Sequence, residues 1–220
     1  MHIKRISVPK SWPLPKKGKT FIVRGRGPYP KKLSLPILIV IRDVLGEVRT
    51  RKEAKKVLQE GLILVDNKII KDEKFNVGLF SRIYIKKLEK TFTLYLTKKG
   101  KLNVREIDKE RASKKYCKII GKKILKGFKT QINLYDGKNL IVDKKDVKVG
   151  DSAVLDLNKN KIIDYLKLDK GAFVFIIGGK HIGSIGKISE VDEKISVMID
   201  NKNFKISKEN VFVIQKEELK

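Results

Sequence analysis

The chain has 220 residues, of which 52 are Lys or Arg and 25 are Asp or Glu, so its formal net charge is +27 at pH 7. This excess is far more than solubility requires, and it indicates a large polyanion as the partner. A membrane surface would also attract it, but the longest apolar run, residues 36–41, is too short to span a bilayer. We expect no signal peptide, because the N-terminus lacks an apolar stretch followed by small residues.

Cysteine and histidine usage narrows the class of protein further. Cys117 is the only cysteine, which excludes an intramolecular disulfide and fits a reducing cytosol. It lies in the apolar run 116–120, so a small buried hydrophobe is the favoured interpretation. Since His2 and His181 are the only histidines, the sequence predicts no zinc site, and we expect neither a metal nor a cofactor.

Residues 1–36 hold all six prolines and ten basic residues but no acidic residue. This composition predicts an extended basic arm that becomes ordered on its partner. Trp12, the only tryptophan, can either stack on a base or pack on the next domain, and packing is favoured. Gly25 and Gly27 would let the backbone approach phosphate closely. The candidate RNA-binding side chains of the arm are Lys4, Arg5, Lys10, Lys16, Lys17, Lys19, Arg24 and Arg26.

A short apolar helix is predicted over residues 34–46. Ser34 would provide the N-cap hydroxyl, Pro36 an early position with fixed φ, and Gly46 the end of the helix. Its mostly apolar surface would pack against the helix that follows.

The second predicted helix begins near Arg51, because Thr50 and Glu53 form a capping-box pattern, and it ends at Gly61. Five cations crowd its start: Arg49, Arg51, Lys52, Lys55 and Lys56. Cations at a helix N-terminus oppose the helix dipole, which indicates an external anion that meets both these side chains and the free amides. A polyphosphate backbone is favoured. The alternative is a solvated lysine-rich face, which explains most charge runs.

Two short β-branched runs follow Gly61 and meet at Asp66-Asn67, which predicts a hairpin turn. A further turn is predicted at Val77-Gly78. Together with the capped helix and its apolar residues Ala54 and Leu58, these features resemble the S-four RNA-binding module. That module is shared by several ribosomal proteins, RNA pseudouridine synthases and some tRNA synthetases. The resemblance implies an RNA-binding domain over residues 37–90.

Further matches lie on both sides of this helix: His2, Lys4-Arg5, Pro9-Lys10, Trp12, Gly27-Pro28, Ser34-Leu35-Pro36, Arg42-Asp43, Phe75 and Val77-Gly78-Leu79. With them, residues 1–90 resemble the N-terminal half of the S-four-e family of small-subunit ribosomal proteins, which occurs in archaea and eukaryotes. The resemblance implies binding to folded small-subunit ribosomal RNA and to neighbouring ribosomal proteins in the cytoplasm. It implies no membrane partner and no small-molecule substrate. Length and lysine content favour an archaeal source.

Residues 91–167 show apolar residues with a period of two, interrupted by turn residues at Asp136-Gly137 and at 158–160. Repeated short strands at this spacing predict a central antiparallel β barrel or sandwich. The aspartates of the region lie at turns or beside lysines, so none is singled out as a catalytic acid or base. The family resemblance implies that this β domain contacts ribosomal RNA.

Residues 168–220 centre on a glycine-rich loop at 178–187. A phosphate-binding P-loop is disfavoured, because Lys187 precedes Ile188 rather than Ser or Thr. The spacing resembles the KOW motif, which implies a small SH3-like β barrel. Its turn positions would be Gly179, Gly183 and Gly186, and the candidate RNA contacts at the loop tip are Lys180, His181 and Lys187.

The predicted fold class is therefore α+β, with an arm, an S-four-type module, a central β domain and a C-terminal β barrel. The favoured function is a structural, non-enzymatic component of the small ribosomal subunit that supports assembly and translation. An RNA-modifying enzyme of the pseudouridine-synthase kind would need a large catalytic domain with an Arg-Leu-Asp tripeptide, and the sequence after residue 90 has no such tripeptide. A free-standing RNA chaperone or translation regulator stays open.

Overall fold

The structure is a computed structural model that describes residues 2–126, 129–142 and 146–215. The chain divides into two compact units, Met1–Lys115 and Tyr116–Lys220. The described residues lie mostly in antiparallel strands with a few short helices, in agreement with the α+β class. No helix among them is long and apolar enough to cross a membrane.

The first unit contains two strand pairs and a five-stranded sheet. One pair joins β1 (His2–Lys4) to β2 (Phe21–Val23), and the other joins β3 (Ser34–Pro36) to β6 (Asn76–Gly78). The sheet is built from β4 (Ile63–Val65), β5 (Lys68–Ile69), β7 (Arg82–Ile85), β8 (Lys90–Leu96) and β9 (Leu102–Ile107). Its order is β5-β4-β7-β8-β9. The helices are α1 (Ile37–Ile39), α2 (Arg51–Gln59) and α3 (Lys109–Ala112), with single 3-10 turns at Arg5–Ser7 and Lys31–Leu33.

The helix predicted over residues 34–46 begins three residues later than expected. Ser34 lies in β3, and its hydroxyl donates to the carbonyl of Pro30 at 2.9 Å instead of capping a helix. Pro36 is the N-cap residue of α1, which continues into a π-helical turn at Val40–Val44. The prediction is wrong at this end because Ser34–Pro36 pairs with β6, which gives its backbone groups another partner.

The second helix matches its prediction closely. It begins at Arg51, and Thr50 and Glu53 form the expected capping box. Gly61 follows the helix with φ +70°, a conformation that glycine adopts without strain. Asp66 and Asn67 have φ of +50° and +61°, as a two-residue hairpin turn of type I′ requires.

The turn predicted at Val77-Gly78 lies further along the chain. Both residues belong to β6, and the turn falls at residues 79–80, where Phe80 has φ +59°. Glycine is needed at position 78 because a Cβ atom there would lie 2.2 Å from the ring of Tyr29. Packing against the N-terminal segment, rather than turn formation, therefore explains this glycine.

The N-terminal segment is folded onto the rest of its unit, which corrects the expectation of an arm that orders only on its partner. Trp12 is 3% exposed, and its indole nitrogen donates to the carbonyl of Lys31 at 3.1 Å. The amide of Leu102 donates to the carbonyl of Ser11 at 2.7 Å. Composition was misleading because Trp12 and Tyr29, both buried, anchor a segment that is otherwise polar. Packing of Trp12 was the favoured alternative, and the structure confirms it.

The strands β8 and β9 extend the sheet of the first unit. The period-two pattern predicts that they belong to the central β domain, yet Arg82–Ile85 pairs with β8 over four residues. Period-two alternation identified both strands but carried no information about their partners.

The second unit contains two five-stranded antiparallel sheets. The first holds β10 (Lys114–Ile124), β11 (Thr130–Leu134), β12 (Asn139–Val142), β13 (Ser152–Asp156) and β14 (Lys161–Leu166), in the order β12-β11-β10-β13-β14. The second holds β15 (Phe173–Ile176), β16 (Ile185–Val191), β17 (Lys194–Ile199), β18 (Lys202–Ser207) and β19 (Val211–Val213), in the order β18-β17-β16-β15-β19. A 3-10 turn at Lys208–Asn210 precedes β19. Each sheet has its own apolar core, and Cys117 is buried in the first, as predicted.

Candidate nucleic-acid interface

The capping box at the start of α2 satisfies the amides of Arg49, Thr50 and Glu53 within the chain. The carboxylate of Glu53 accepts from the amides of Arg49 at 2.9 Å and Thr50 at 3.4 Å, and the Thr50 hydroxyl accepts from the Glu53 amide at 3.2 Å. The hydrogen bond from the Arg49 amide is the main reason why the pKa of Glu53 is lowered. These three amides are therefore not available to an external anion, whereas the exposed lysine side chains of the helix are.

Arg51 differs from its neighbours because it is paired within the chain. Its guanidinium donates from Nε to Glu73 at 2.8 Å and also from Nη2 to the other carboxylate oxygen. This bidentate contact lowers the pKa of Glu73 and raises that of Arg51. Lys52, Lys55 and Lys56 are exposed on the same helix. These three lysines form what we call the helix lysine face, and they carry the charge that an external anion can reach.

The arm places three lysines on one loop, and Arg5 holds that loop in shape. The guanidinium of Arg5 donates to the carbonyls of Lys19 at 2.8 Å, Pro15 at 2.5 Å and Lys17 at 3.2 Å. Lys16, Lys17 and Lys19 are all exposed, and we call residues 15–19 the lysine loop. Arg5 thus has a positioning role that the sequence did not indicate.

The remaining basic residues of the arm are dispersed. Lys4 and Arg26 are exposed and Arg24 is partly buried. Lys10 is exposed, and its carbonyl accepts from the ammonium of Lys101 at 2.5 Å, which ties the arm to the turn between β8 and β9. Gly25 has a structural reason, since a Cβ atom there would lie 1.7 Å from Oδ1 of Asn76. Close packing, rather than approach to phosphate, accounts for this glycine.

The glycine-rich loop of the second unit separates its three candidates. Lys180 is exposed in the turn, and the ring of His181 lies over that of Phe204, with centroids 4.0 Å apart. Lys187 is exposed in the middle of β16, so its predicted place at the loop tip is wrong. Gly186 also lies in β16, where a Cβ atom would come within 2.3 Å of the Val197 side chain.

Two of the three glycines predicted at turn positions of this loop have backbone conformations that favour glycine. Gly179 and Gly183 have φ of +89° and +75°, so both occupy turn conformations that favour glycine. The turn assignment is therefore confirmed for two of the three predicted glycines.

Sequence reasoning missed a buried polar cluster that joins three parts of the first unit. The ammonium of Lys115 donates to Asp66 at 2.6 Å and to the Tyr29 hydroxyl at 2.8 Å. Asp66 also accepts from the amide of Arg82 at 2.9 Å, and the Tyr29 hydroxyl lies 3.2 Å from that of Ser81. Burial raises the pKa of Tyr29 well above its ordinary value. No short-range pattern indicates the cluster, because the continuously buried run at 115–119 includes two lysines, a residue type that is almost always at the surface.

The residue types that bind metal ions are dispersed over the part of the chain that the structure describes. Within the ranges that the structure describes, no three or more His, Cys, Asp or Glu side chains gather as a metal site would require. The structure groups the candidate lysines on two separate segments of the first unit, the lysine loop and the helix lysine face. Their chemistry is that of exposed ammonium groups, which suits the phosphates of a nucleic acid.

Comparisons with known proteins agree on one family. The description "Ribosomal family S4e" matches residues 88–162, the RS4NT domain matches residues 1–30, and the S4 domain matches residues 38–83. Small ribosomal subunit protein eS4 of Methanococcus maripaludis is 36% identical over 233 residues, covering 99% of this chain and 95% of its own. The protein of the same name from Methanosphaera stadtmanae is 40% identical over 191 residues, with 86% and 79% covered. The crystal structure of the 30S ribosomal protein S4e from Thermoplasma acidophilum has a TM-score of 0.74 at 31% identity, and it covers 84% of this chain and 97% of that one.

Proposed function

The chain belongs to the ribosomal protein S4e family, and we propose that it is a structural component of the small subunit of the cytoplasmic ribosome, bound to ribosomal RNA. The observation that carries this role is the 36% sequence identity with a small ribosomal subunit protein over nearly the full length of both chains. It favours a ribosomal constituent over the RNA-modifying enzyme and over the free-standing regulator. The role is one of binding and bracing rather than catalysis.

The lysine loop and the helix lysine face are the proposed phosphate-binding surfaces. Six exposed ammonium groups lie on these two short segments. Phosphate contacts of this kind depend strongly on salt, because each neutralised phosphate releases counterions. If about 6 to 10 phosphates are neutralised, RNA affinity falls by roughly three to five decades between 50 and 200 mM salt.

The finer architecture completes the proposal. The second sheet of the second unit is assigned as the KOW-type, SH3-like barrel, which its antiparallel order and its two positive-φ glycines support. The first sheet is assigned as the central β domain that contacts ribosomal RNA. Lys180, His181 and Lys187 are secondary contacts, to RNA or to a neighbouring ribosomal protein.

Charge reversal on α2 tests the helix lysine face. Lys52→Glu with Lys56→Glu should lower affinity for a small-subunit ribosomal RNA transcript by about tenfold or more, since each neutralised phosphate lost also removes its counterion release. Helical circular dichroism should be nearly unchanged, because both side chains are exposed. A carboxylate at position 52, in the first turn, is favourable for the helix dipole, and one at position 56, in the last turn, is slightly unfavourable, so the two effects oppose each other. Filter binding across a salt series measures the affinity.

The matched control changes the net charge equally at another place. Lys202→Glu with Lys205→Glu alters two exposed lysines of β18 in the second unit. An equal loss in both pairs would mean that total charge, not the helix lysine face, sets the affinity. Sedimentation tests the role itself: a chain that stays free of the small subunit in a high-salt gradient would contradict a ribosomal constituent.

A further inference from the structure

One face of the N-terminal strand pair combines an aromatic pair with positive charge. In the pairing of β1 with β2, Lys4 lies opposite Phe21 and His2 lies opposite Val23. Because successive side chains alternate between faces, these four side chains share one face. Ile22 points to the other face and is buried. We call the face with His2, Lys4, Phe21 and Val23 the ribbon face.

The rings on the ribbon face are open to solvent. Phe21 is 53% exposed, and its ring centroid lies 4.2 Å from that of His2 with the planes tilted by 59°. A single exposed apolar side chain is common on protein surfaces and needs no explanation. The phenyl and imidazole rings in contact form what we call the ring platform, which presents more ring surface than one side chain, and an exposed ring gains free energy when another flat ring stacks on it.

The charge around the ring platform indicates what covers it. Residues 2–26 contain eight basic side chains and no acidic one. Lys4 lies on the ribbon face itself, and Arg5, the next residue, fastens the lysine loop through three backbone carbonyls. A segment that presents aromatic rings beside cations and contains no carboxylate of its own complements a nucleic acid strand, in which flat bases alternate with phosphates.

We propose that the ribbon face is a base-stacking site, on which an unpaired RNA base lies against the Phe21–His2 pair while the lysine loop holds the adjoining phosphates. This inference rests on the proposed binding to ribosomal RNA and adds a base contact to its phosphate contacts. Every base has a π face, so the site takes any base that is free of a helix. A continuous duplex presents phosphates but no free base, so the ribbon face distinguishes single strands and loops from paired RNA.

Binding of the full chain to two RNA probes tests the site. The probes are a short oligo(A) strand and an RNA duplex of the same length, each measured over a salt series. Phe21→Leu keeps an apolar side chain but removes the ring. It should weaken oligo(A) binding by about fivefold or more, because stacking on an aromatic side chain contributes that much per base. Duplex affinity and the salt slope should stay the same, because no phosphate contact is lost.

Two further variants separate stacking from other causes. Phe21→Tyr keeps a ring and should retain oligo(A) affinity. Ile163→Ala removes an equally exposed apolar side chain, at 54%, from the second unit and should leave both affinities unchanged. Thermal unfolding of each variant checks that the fold is intact.

The possible results distinguish failure of the stacking site from failure of the proposed RNA-binding function. Equal weakening of both probes by Phe21→Leu would overturn the stacking site, as would unaltered oligo(A) affinity, which would leave the face for a protein neighbour. Failure of the unmodified chain to bind either RNA would instead overturn the proposed RNA-binding function.

Discussion

The two units of the chain are nearly equal in length but differ greatly in charge. Residues 1–115 contain 31 basic and 11 acidic side chains, a net formal charge of +20, whereas residues 116–220 contain 21 basic and 14 acidic ones, a net charge of +7. Since counterion release scales with the phosphates neutralised, the first unit should supply most of the affinity for RNA that is independent of sequence. The second unit should supply less of this affinity, and its contacts with RNA should depend more on where its basic groups are placed.

Each unit also buries one lysine, and the two buried ammonium groups have different kinds of partner. Lys115 and Lys118 lie three residues apart on β10 and are 1% and 8% exposed. Lys115 meets the carboxylate of Asp66. Lys118 donates to three neutral carbonyls, those of Lys208 at 2.8 Å, Glu209 at 2.9 Å and Val211 at 2.7 Å. The two units therefore differ in how a buried cation is compensated as well as in their net charge.

The largest loss of stability is expected at Lys115, because this buried cation has a charged partner. Lys115→Met leaves Asp66 buried without its counter-ion, and breaking such a pair costs about 3 to 5 kcal/mol. The free energy of unfolding of the first unit should fall by that amount in urea. Trp12 fluorescence reports this unit selectively, because it is the only tryptophan and is buried there.

The neighbouring Lys114 provides the control for this loss, since it is exposed on the same strand. Lys114→Met should change the free energy of unfolding by less than about 0.5 kcal/mol. Adding Asp66→Asn to Lys115→Met should recover stability, because the side-chain amide oxygen still accepts from the backbone amide of Arg82 and the buried carboxylate that lost its counter-ion is removed. A double variant as unstable as the single one would show that packing, not charge, causes the loss.

A smaller effect, dependent on pH, is expected at Lys118. Burial lowers its pKa from the ordinary 10.5 to about 8. Between these two values the unfolded chain binds more protons than the folded chain, so the free energy of unfolding rises with pH. Below pH 8 the cost of burying the charge is fully present, and it is relieved as the pH rises toward 10.5.

The measurement compares the unmodified chain with Lys118→Met in urea, followed by circular dichroism. Between pH 8 and 10 the unmodified chain should gain about 2 kcal/mol relative to the variant. Lys123→Met, at an exposed position of the same strand, should show no such change. A constant difference between the unmodified chain and Lys118→Met over this range would mean that the three carbonyls hold the ammonium charged throughout.

The sequence predicted the features that depend on neighbouring residues. The capping box at Thr50, the hairpin at Asp66-Asn67 and the strands after residue 90 all follow from short patterns, and the structure contains each of them. The same locality explains the errors. The prediction of a helix cap at Ser34 is wrong because the pairing of this residue with β6, more than forty residues away in sequence, leaves no local signal.

The candidate site was predictable in its charge but not in its geometry. The lysines of α2 and of the lysine loop were identified from composition alone. That Arg51 is paired with Glu73 and that Arg5 shapes its loop depends on contacts between distant residues. The ring pair of His2 and Phe21 depends likewise on the register of β1 with β2, which a chain without an alignment does not reveal.

The smallest effect on RNA affinity is expected from substitutions near the glycine-rich loop of the second unit. Lys180→Ala with Lys187→Ala removes two exposed cations that lie apart, one in a turn and one within β16. Lys16→Ala with Lys17→Ala removes two exposed cations that Arg5 holds on one loop. Both pairs change the net charge equally, so any difference between them reflects placement.

We expect the first-unit pair to lower affinity for a small-subunit ribosomal RNA transcript by about tenfold and to reduce the salt slope by roughly 1 to 2, since each phosphate contact contributes about 0.9. The second-unit pair should lower it by less than about threefold and change the slope by less than 1. Its effect should appear instead as reduced incorporation of the full chain into the small subunit, because Lys180 would make a specific contact with a neighbouring molecule in the particle rather than add to nonspecific attraction of RNA. Equal slopes for both pairs would show that net charge per unit is a poor guide to where RNA binds, and that the glycine-rich loop is a main anchor.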